Sequence, residues 1–225
     1  MLFNVPTYIF PTPYLVFLNF LEFYDVLFFN SLFTLFEAII GIFIVAVLGI
    51  FIAVLMDNSK SLKSLLEPII YISQLVPAIV LAPLLLIWFG YGMSSTILLV
   101  VIMCIFPVIT NTYKGLRSVD EDYLNLFSLM HANKYQTYKL LKIPSANKFI
   151  FSGLKIATTY AITSALLAEF MGAQNGLGVS LANSLTSFNT VNIFCIIIIT
   201  ITLTIGLLKI LDFTERRFNK YEKIN

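Results

Sequence analysis

Residues capable of acid–base or metal chemistry are sparse in this sequence and avoid the middle of its apolar segments. The only histidine, His131, lies outside those segments, and the ionisable residues nearest to them are Glu37, Lys155 and Glu169. An enzyme working inside a membrane would need paired carboxylates, a metal-ligand cluster or a Ser/His set, and an ion-coupled transporter would need ionisable groups in mid-span. The sequence therefore disfavours an intramembrane enzyme and a stand-alone secondary transporter or channel.

Cysteine and nucleotide chemistry are disfavoured in the same way. Cys104 and Cys195 lie inside apolar runs, where cysteine behaves as a small hydrophobic residue, and their spacing fits neither a disulfide framework nor a metal site. The chain has no Gly-x-x-x-x-Gly-Lys-Ser/Thr loop to cradle phosphates. We expect no catalytic residues, no metal and no bound cofactor. The net charge of +2 does not indicate nucleic-acid binding, because the basic residues lie at segment ends and form no patch.

The positions of the apolar residues decide the fold class. They make up 59% of the 225 residues, charged residues make up only 12%, and the mean hydropathy is +0.91. Runs of about 18 or more apolar residues are long enough to cross a bilayer as helices. We predict an all-α, polytopic transmembrane helix bundle with five spans. The predicted spans are Phe36–Met56, Pro68–Gly90, Met93–Tyr113, Phe149–Phe170 and Phe188–Leu208.

The basic residues predict the orientation of these spans. All fourteen lysines and arginines lie in or next to Asp57–Glu67, Lys114–Lys148 and Lys209–Asn225, and the opposite side has none. Because cytoplasmic loops hold the excess of Lys and Arg, the loop 117–148 and the C-terminal tail 212–225 are expected in the cytoplasm. The membrane domain would then cover residues 36–211.

The first 35 residues fit this scheme less well. They contain Pro6, Pro11 and Pro13, which disfavour a helix there, and they lack the basic start of a signal peptide. Two interpretations remain: an outer-face segment with a short interfacial helix, or a chain that lacks a first span.

A ridge of small residues follows the loop. Such residues let helices approach closely in lipid, so the ridge is either a helix seam or part of a translocation path. Glu169, one residue beyond it, is either hydrated at the interface or engaged at an outer mouth or in a buried polar contact. The ridge consists of Gly153, Ala157, Ala161, Ala165 and Ala168.

The loop 117–148 predicts two short capped helices. Ser118 and Glu121 have the spacing of a capping box, and Asn133 with Gln136 has the spacing of a second. Pro144 is expected to end the second helix, because a proline disfavours the helical conformation of the residue before it. The apolar sides of both helices need a partner: the membrane interface, the ends of their own spans, or another protein.

Met130–Pro144 resembles the EAA loop of the permeases of binding-protein-dependent ABC importers, which ends in an Ile/Leu-x-Leu/Ile-Pro pattern, here Leu141-Lys-Ile143-Pro144. Similar stretches occur in order across Pro68–Gly178, including Trp88-Phe-Gly-Tyr-Gly92 and Ala168-Glu-Phe-Met-Gly-Ala-Gln-Asn-Gly-Leu-Gly178. The nearest branch resembles permeases for sulfonate, nitrate and taurine and, within it, those for thiamine-pyrimidine precursors. His131 stands where the family has a glycine, and Asn125-Leu-Phe127 replaces Glu-Ala-Ala.

The resemblance implies a function and partners. The family usually has six spans and a prokaryotic plasma-membrane location. It works as two permease subunits, here a homodimer, with an external solute-binding protein and separate ATP-binding subunits that hold ATP and Mg. The loop would dock the ATPase. The expected docking residues are Leu126, Phe127, Met130, His131, Ala132, Tyr135, Leu141, Ile143 and Pro144.

Overall fold

The computed structural model describes residues 10–218, and these residues form helices joined by short turns. The long helices follow the apolar runs, and the shorter ones begin at local capping residues such as Thr12 and Ser59. The helices are α1 (Pro13–Glu22), α2 (Tyr24–Asn58), α3 (Lys60–Leu75), α4 (Ala78–Phe89), α5 (Met93–Leu116), α6 (Glu121–Leu129), α7 (Lys134–Thr137), a π-helical turn (Tyr138–Lys142), α8 (Ile143–Gly172), α9 (Leu177–Thr186) and α10 (Thr190–Phe218).

Four stretches of helix are long and apolar enough to cross a membrane, or five if α3 and α4 together count as one interrupted span. Three of the four are α2, α5 and α10, and the fourth is the continuous helical stretch Lys134–Gly172, which ends with α8. An all-helical membrane bundle is therefore confirmed for the described residues, with four apolar spans or, counting α3 and α4 together, the predicted five.

Two predicted spans differ in detail from the observed helices. The predicted span Pro68–Gly90 is interrupted at Val76–Pro77, where both residues adopt extended backbone and Pro77 becomes the N-terminal cap of α4. Helix α2 begins at Tyr24 rather than near Phe36, because no proline or glycine interrupts the apolar residues between them. Part of the predicted outer-face segment is thus helical, as α1 and the start of α2. Pro6, the first of the three prolines of this segment, lies outside the described residues.

The helices divide into two compact units, and α2, α5, α8 and α10 each supply residues to both. Unit 1 comprises residues 1–41, 77–100 and 161–206, of which 10–41 and the other two ranges are described. One buried apolar cluster of this unit joins α1, α2, α9 and α10 through Val16, Leu27, Leu177, Cys195 and Ile196. The cysteine behaves as predicted, as a buried apolar side chain whose thiol donates to the Val16 carbonyl.

Unit 2 comprises residues 42–76, 101–160 and 207–225, described to Phe218. Its core is formed by the buried faces of α2, α5 and α8, which approach closely at glycines. A Cβ atom on Gly49 would lie 2.8 Å from Val108 Cγ1, and one on Gly153 would lie 2.8 Å from the carbonyl oxygen of Pro107. These contacts are the close backbone approaches that small residues permit in a membrane protein.

Candidate functional site

The loop 117–148 lies wholly in unit 2 and begins with α6. Asp120, rather than Ser118, is the N-cap of α6, and its carboxylate accepts from the backbone N–H of Asp122 at 3.1 Å. The Ser118 hydroxyl instead donates to the carbonyl of Gly115 at the end of α5. The predicted capping box at Ser118 is therefore wrong, because this serine serves the end of the preceding helix.

The second predicted capping box is present. Asn133 Oδ1 accepts from Gln136 N at 2.9 Å, and Gln136 Oε1 accepts from Asn133 N at 2.8 Å. Between the two loop helices, His131 adopts a left-handed backbone with φ of +53°. A glycine enters this region without steric cost, whereas a residue with a Cβ atom is strained there. The chain therefore makes a positive-φ turn at the position where His131 replaces the glycine of the EAA-loop pattern.

Pro144 does not end the second helix as predicted. Ile143 has helical dihedrals of −67° and −47°, and Pro144 lies in the first turn of α8. The π-helical turn before it carries a wider hydrogen bond, from Ile143 N to Tyr138 O. Pro144 has no backbone N–H to donate, and the wider π-helical turn lets the chain remain helical up to it. The chain therefore passes from the loop into α8 without leaving the helical conformation.

One buried carboxylate ties the loop to the end of α2. Asp57 exposes 2% of its side chain, and its Oδ2 accepts from Lys142 Nζ at 2.6 Å and from the Tyr138 hydroxyl at 2.7 Å. Burial and the hydrogen bond to Asp57 raise the pKa of Tyr138, which lies in the loop, so its phenol remains a donor. Lys134 Nζ adds a 3.4 Å bond to Asn58. The π-helical turn is thus held against α2 by charged and polar bonds.

Several large apolar side chains of the loop are exposed. Leu129 and Met130 are 79% and 70% exposed, and the polar capping residues lie beside them. Tyr123, Leu126 and Tyr135 are also exposed. We call these five residues the loop apolar surface. Exposed apolar side chains grouped in one short loop are typical of an interaction site.

A second polar site lies in unit 1, where α2 meets the turn between α8 and α9. Asn30, Thr34 and Glu37 are spaced by four and three residues, which places them on one face of α2. Asn30 Oδ1 accepts from Gly176 N, and Thr34 Oγ1 accepts from Leu177 N, each at 2.9 Å. Helix α9 has no side-chain cap of its own, so α2 supplies partners for its first amides.

Glu169 completes this cap from α8. It is 1% exposed, and its Oε2 accepts from Gly178 N at 2.7 Å and from the Thr34 hydroxyl at 2.9 Å. Its carboxyl lies beside that of Glu37, which is 3% exposed and is one turn from Thr34 on the same face of α2. Of the alternatives left open for Glu169, the hydrated interfacial carboxylate is therefore wrong, and the buried polar contact is confirmed.

The small-residue ridge is buried within this single chain. In unit 2, Gly153 backs onto α5, and the carbonyl of Ala157 accepts from the Cys104 thiol at 3.2 Å. In unit 1, Ala161, Ala165 and Ala168 are also buried. These contacts support the helix-seam interpretation of the ridge. Ile162, which the sequence places on the far side of α8, is buried as well.

Comparisons with known proteins identify the family to which these features belong. A family model described as "Binding-protein-dependent transport system inner membrane component" matches residues 45–220. The chain belongs to this family of ABC importer permeases. It is a multi-pass membrane component, and ATP hydrolysis in such transporters takes place on a separate subunit.

Individual relatives agree with this assignment. The chain is 34% identical, over 92% of its length and 81% of the relative's, to the formylaminopyrimidine transport permease protein ThiX of Halalkalibacterium halodurans. It is 29% identical, over 84% of its length and 69% of the relative's, to the putative aliphatic sulfonates transport permease protein SsuC of Bacillus subtilis. The crystal structure of an amino acid ABC transporter with histidines matches 89% of this chain and 98% of its own, with a TM-score of 0.71 and 21% identity, which supports the fold.

The predicted docking residues of this permease are all in the loop but are not equally accessible. Leu126, Met130, His131, Tyr135 and Pro144 are exposed, whereas the other four are partly buried. The partly buried residues are Phe127, Ala132, Leu141 and Ile143.

Sequence reasoning missed several residues of the two sites, among them Leu129 and Asp57, and left the role of Glu37 open. Leu129 is not among the docking residues that the sequence predicted, although it is the most exposed residue of the loop apolar surface. No local sequence pattern indicated a role for Asp57, because its partners Tyr138 and Lys142 lie more than 80 residues away. Glu37 lies at the edge of a predicted span, and only its spacing from Asn30 and Thr34 could have indicated a polar face of α2.

Proposed function

We propose that this permease forms the solute pathway of an importer and is coupled to a separate ATPase subunit through the loop 117–148. The observation that carries this proposal is the loop apolar surface, which has no covering element in the described chain while the other side of the loop is bonded to α2 through Asp57. A force that the ATPase subunit exerts on that surface would be transmitted to α2 and α8. In this proposal two copies of the chain form the pathway, ATP and Mg²⁺ bind to the ATPase subunits, and an external solute-binding protein delivers the substrate.

Co-purification tests the docking role. Met130→Asp should release the ATPase subunit from the detergent-solubilised complex, because it puts an uncompensated charge into an apolar contact. Met130 is a sharper choice than the half-buried Phe127, whose substitution would also disturb packing within the loop. Ser61→Asp is the matched control: it adds the same charge at an exposed first-turn position of α3, where negative charge is tolerated. Retention of the ATPase by Met130→Asp would contradict the proposal.

The orientation is part of the same proposal, because the loop reaches an ATPase only from the cytoplasm. Single cysteines at Ser128 and at Asn175, both exposed, should differ in intact cells. An impermeant thiol reagent should label Asn175→Cys and should leave Ser128→Cys unlabelled until the cells are opened. The native Cys104 and Cys195 are buried, so they contribute little background. The opposite labelling pattern would place the loop outside and remove its coupling role.

We infer that the transported solute is a thiamine-pyrimidine precursor, as in the formylaminopyrimidine permease, to which the chain is 34% identical over most of its length. Expression of the importer with its partner subunits should let a strain unable to make the thiamine pyrimidine grow on formylaminopyrimidine. The matched control is the Met130→Asp complex. The alternative substrates, aliphatic sulfonate, taurine and nitrate, rest on relatives of similar identity. Uptake of one of those solutes without growth on the pyrimidine would favour the alternative.

A further inference from the structure

Glu37 and Glu169 form an unusual pair in unit 1, because both carboxyls are buried and no basic residue accompanies them. Residues 10–41, 77–100 and 161–206 contain no lysine, arginine or histidine. The other carboxyl groups in these ranges, Glu22 and Asp25, are both exposed. No side chain of α9 carries a charge. The pair therefore cannot be neutralised by a salt bridge within the described part of its own unit.

The hydrogen bonds distinguish the two carboxyls. Glu169 Oε2 receives two donors, Gly178 N and the Thr34 hydroxyl, at the N-terminus of α9, where the helix dipole favours negative charge. Glu37 has no such donor, and its Oε2 is fully buried without a hydrogen-bond partner, as is Glu169 Oε1. Two carboxylates in contact repel each other, and they attract each other only when one carries a proton that it donates to the other.

We propose that Glu37 and Glu169 bind a single proton between them, with Glu37 carrying the proton and Glu169 the negative charge. With this proton, Glu37 donates a hydrogen bond to Glu169. The buried pair then carries one negative charge rather than two. Glu169 then remains the anion that caps α9. The pair is thus a proton-binding site that fixes the turn 173–178 against α2. None of its residues belongs to the loop, so the inference does not depend on the proposed coupling to an ATPase.

Infrared spectroscopy of the full chain in lipid nanodiscs tests this site directly. With ¹³C-labelled glutamate, the wild-type spectrum at about pH 8 should contain an isotope-shifted carbonyl stretch of a protonated carboxyl, because exposed glutamates are ionised well below that pH. Glu37→Gln should abolish the band while keeping an N–H donor to Glu169. Glu169→Gln should keep a shifted band, because Glu37 retains its proton. Glu22→Gln, at an exposed position, should leave the band unchanged.

Several results would overturn the proposal. Absence of the band in the wild type would mean that both carboxyls are ionised. In that case, a thermal unfolding midpoint that rose with the sodium or potassium concentration would identify a metal cation between them. A band that survived Glu37→Gln would show that the proton belongs elsewhere. The wild-type measurement needs no variant, so the proposal remains falsifiable even if Glu37→Gln fails to fold.

Discussion

The bond between Asp57 and Lys142 gives the most quantitative prediction. Asp57→Ala removes a carboxylate whose side chain is 2% exposed and leaves Lys142, 18% exposed, without its partner at 2.6 Å. Breaking a buried ion pair from one side costs about 3–5 kcal/mol. The Tyr138 hydroxyl also loses its acceptor, at about 1 kcal/mol. Because Lys142 retains some access to water, we expect the lower end of this range, about 3 kcal/mol.

The assay is the thermal unfolding midpoint of the purified chain in detergent. For a chain of this size, about 3 kcal/mol corresponds to a fall of roughly 6–12 °C. The double variant Asp57→Asn with Lys142→Met should recover much of the loss, because it removes both charges and retains an acceptor for Tyr138. The matched control is Glu67→Ala, which breaks the exposed Lys63–Glu67 pair on α3 and should change stability by less than about 0.5 kcal/mol.

The reasoning would be refuted if Asp57→Ala and Glu67→Ala shifted the midpoint equally. It would also be refuted if removing Asp57 and Lys142 together cost as much as the sum of the two single changes. Such additivity would show that the two side chains do not interact in the folded protein.

Three further predictions concern single positions. His131→Gly should stabilise the chain by about 1 kcal/mol, seen as a higher unfolding midpoint, because glycine relieves the left-handed strain at an exposed position; an unchanged midpoint would argue against a positive φ there. Gly178→Ala should lower the midpoint, because its Cβ atom would lie 2.6 Å from Glu169 Cβ, whereas Gly206→Ala, with open space around it, should be neutral or stabilising. Ala161→Leu should lower the free energy of unfolding by about 1–3 kcal/mol, because the larger side chain overpacks the seam. Thr159→Leu, at an exposed position of the same helix, is the control, and equal midpoints for the two variants would show that the ridge does not pack inside the chain.

The sequence predicted those parts of the fold that depend on neighbouring residues. The apolar runs located α2, α5, α8 and α10, because crossing a bilayer requires a stretch of about 18 or more apolar residues. The Asn133 box was also predictable, since both of its bonds join residues three positions apart. At Ser118 the same local rule failed, because two helix ends compete for that side chain and the closer one, ending α5, receives it.

The sites depend on contacts that no local pattern contains. Asn30 and Ser180 are 150 residues apart in the sequence but are joined by a 2.7 Å hydrogen bond. The burial of Glu169 follows from Thr34, which is 135 residues away. A single sequence shows each of these polar residues, but it does not show which of them meet. Resemblance to a family supplied the role of the loop, whereas the two buried acidic sites became visible only in the folded chain.

The capping of α9 by distant residues has a consequence for the order of folding. The first amides of α9 find their partners on Asn30, Thr34 and Glu169, so α9 cannot be completed as an autonomous helix. During synthesis the polar face of α2 is made first. More than 130 further residues must be added before α9 can contact it. Contacts of such sequence separation form late, since a long loop must close before they are gained. Closure of this turn is therefore among the last steps in the maturation of the newly inserted chain, after the local helices have formed.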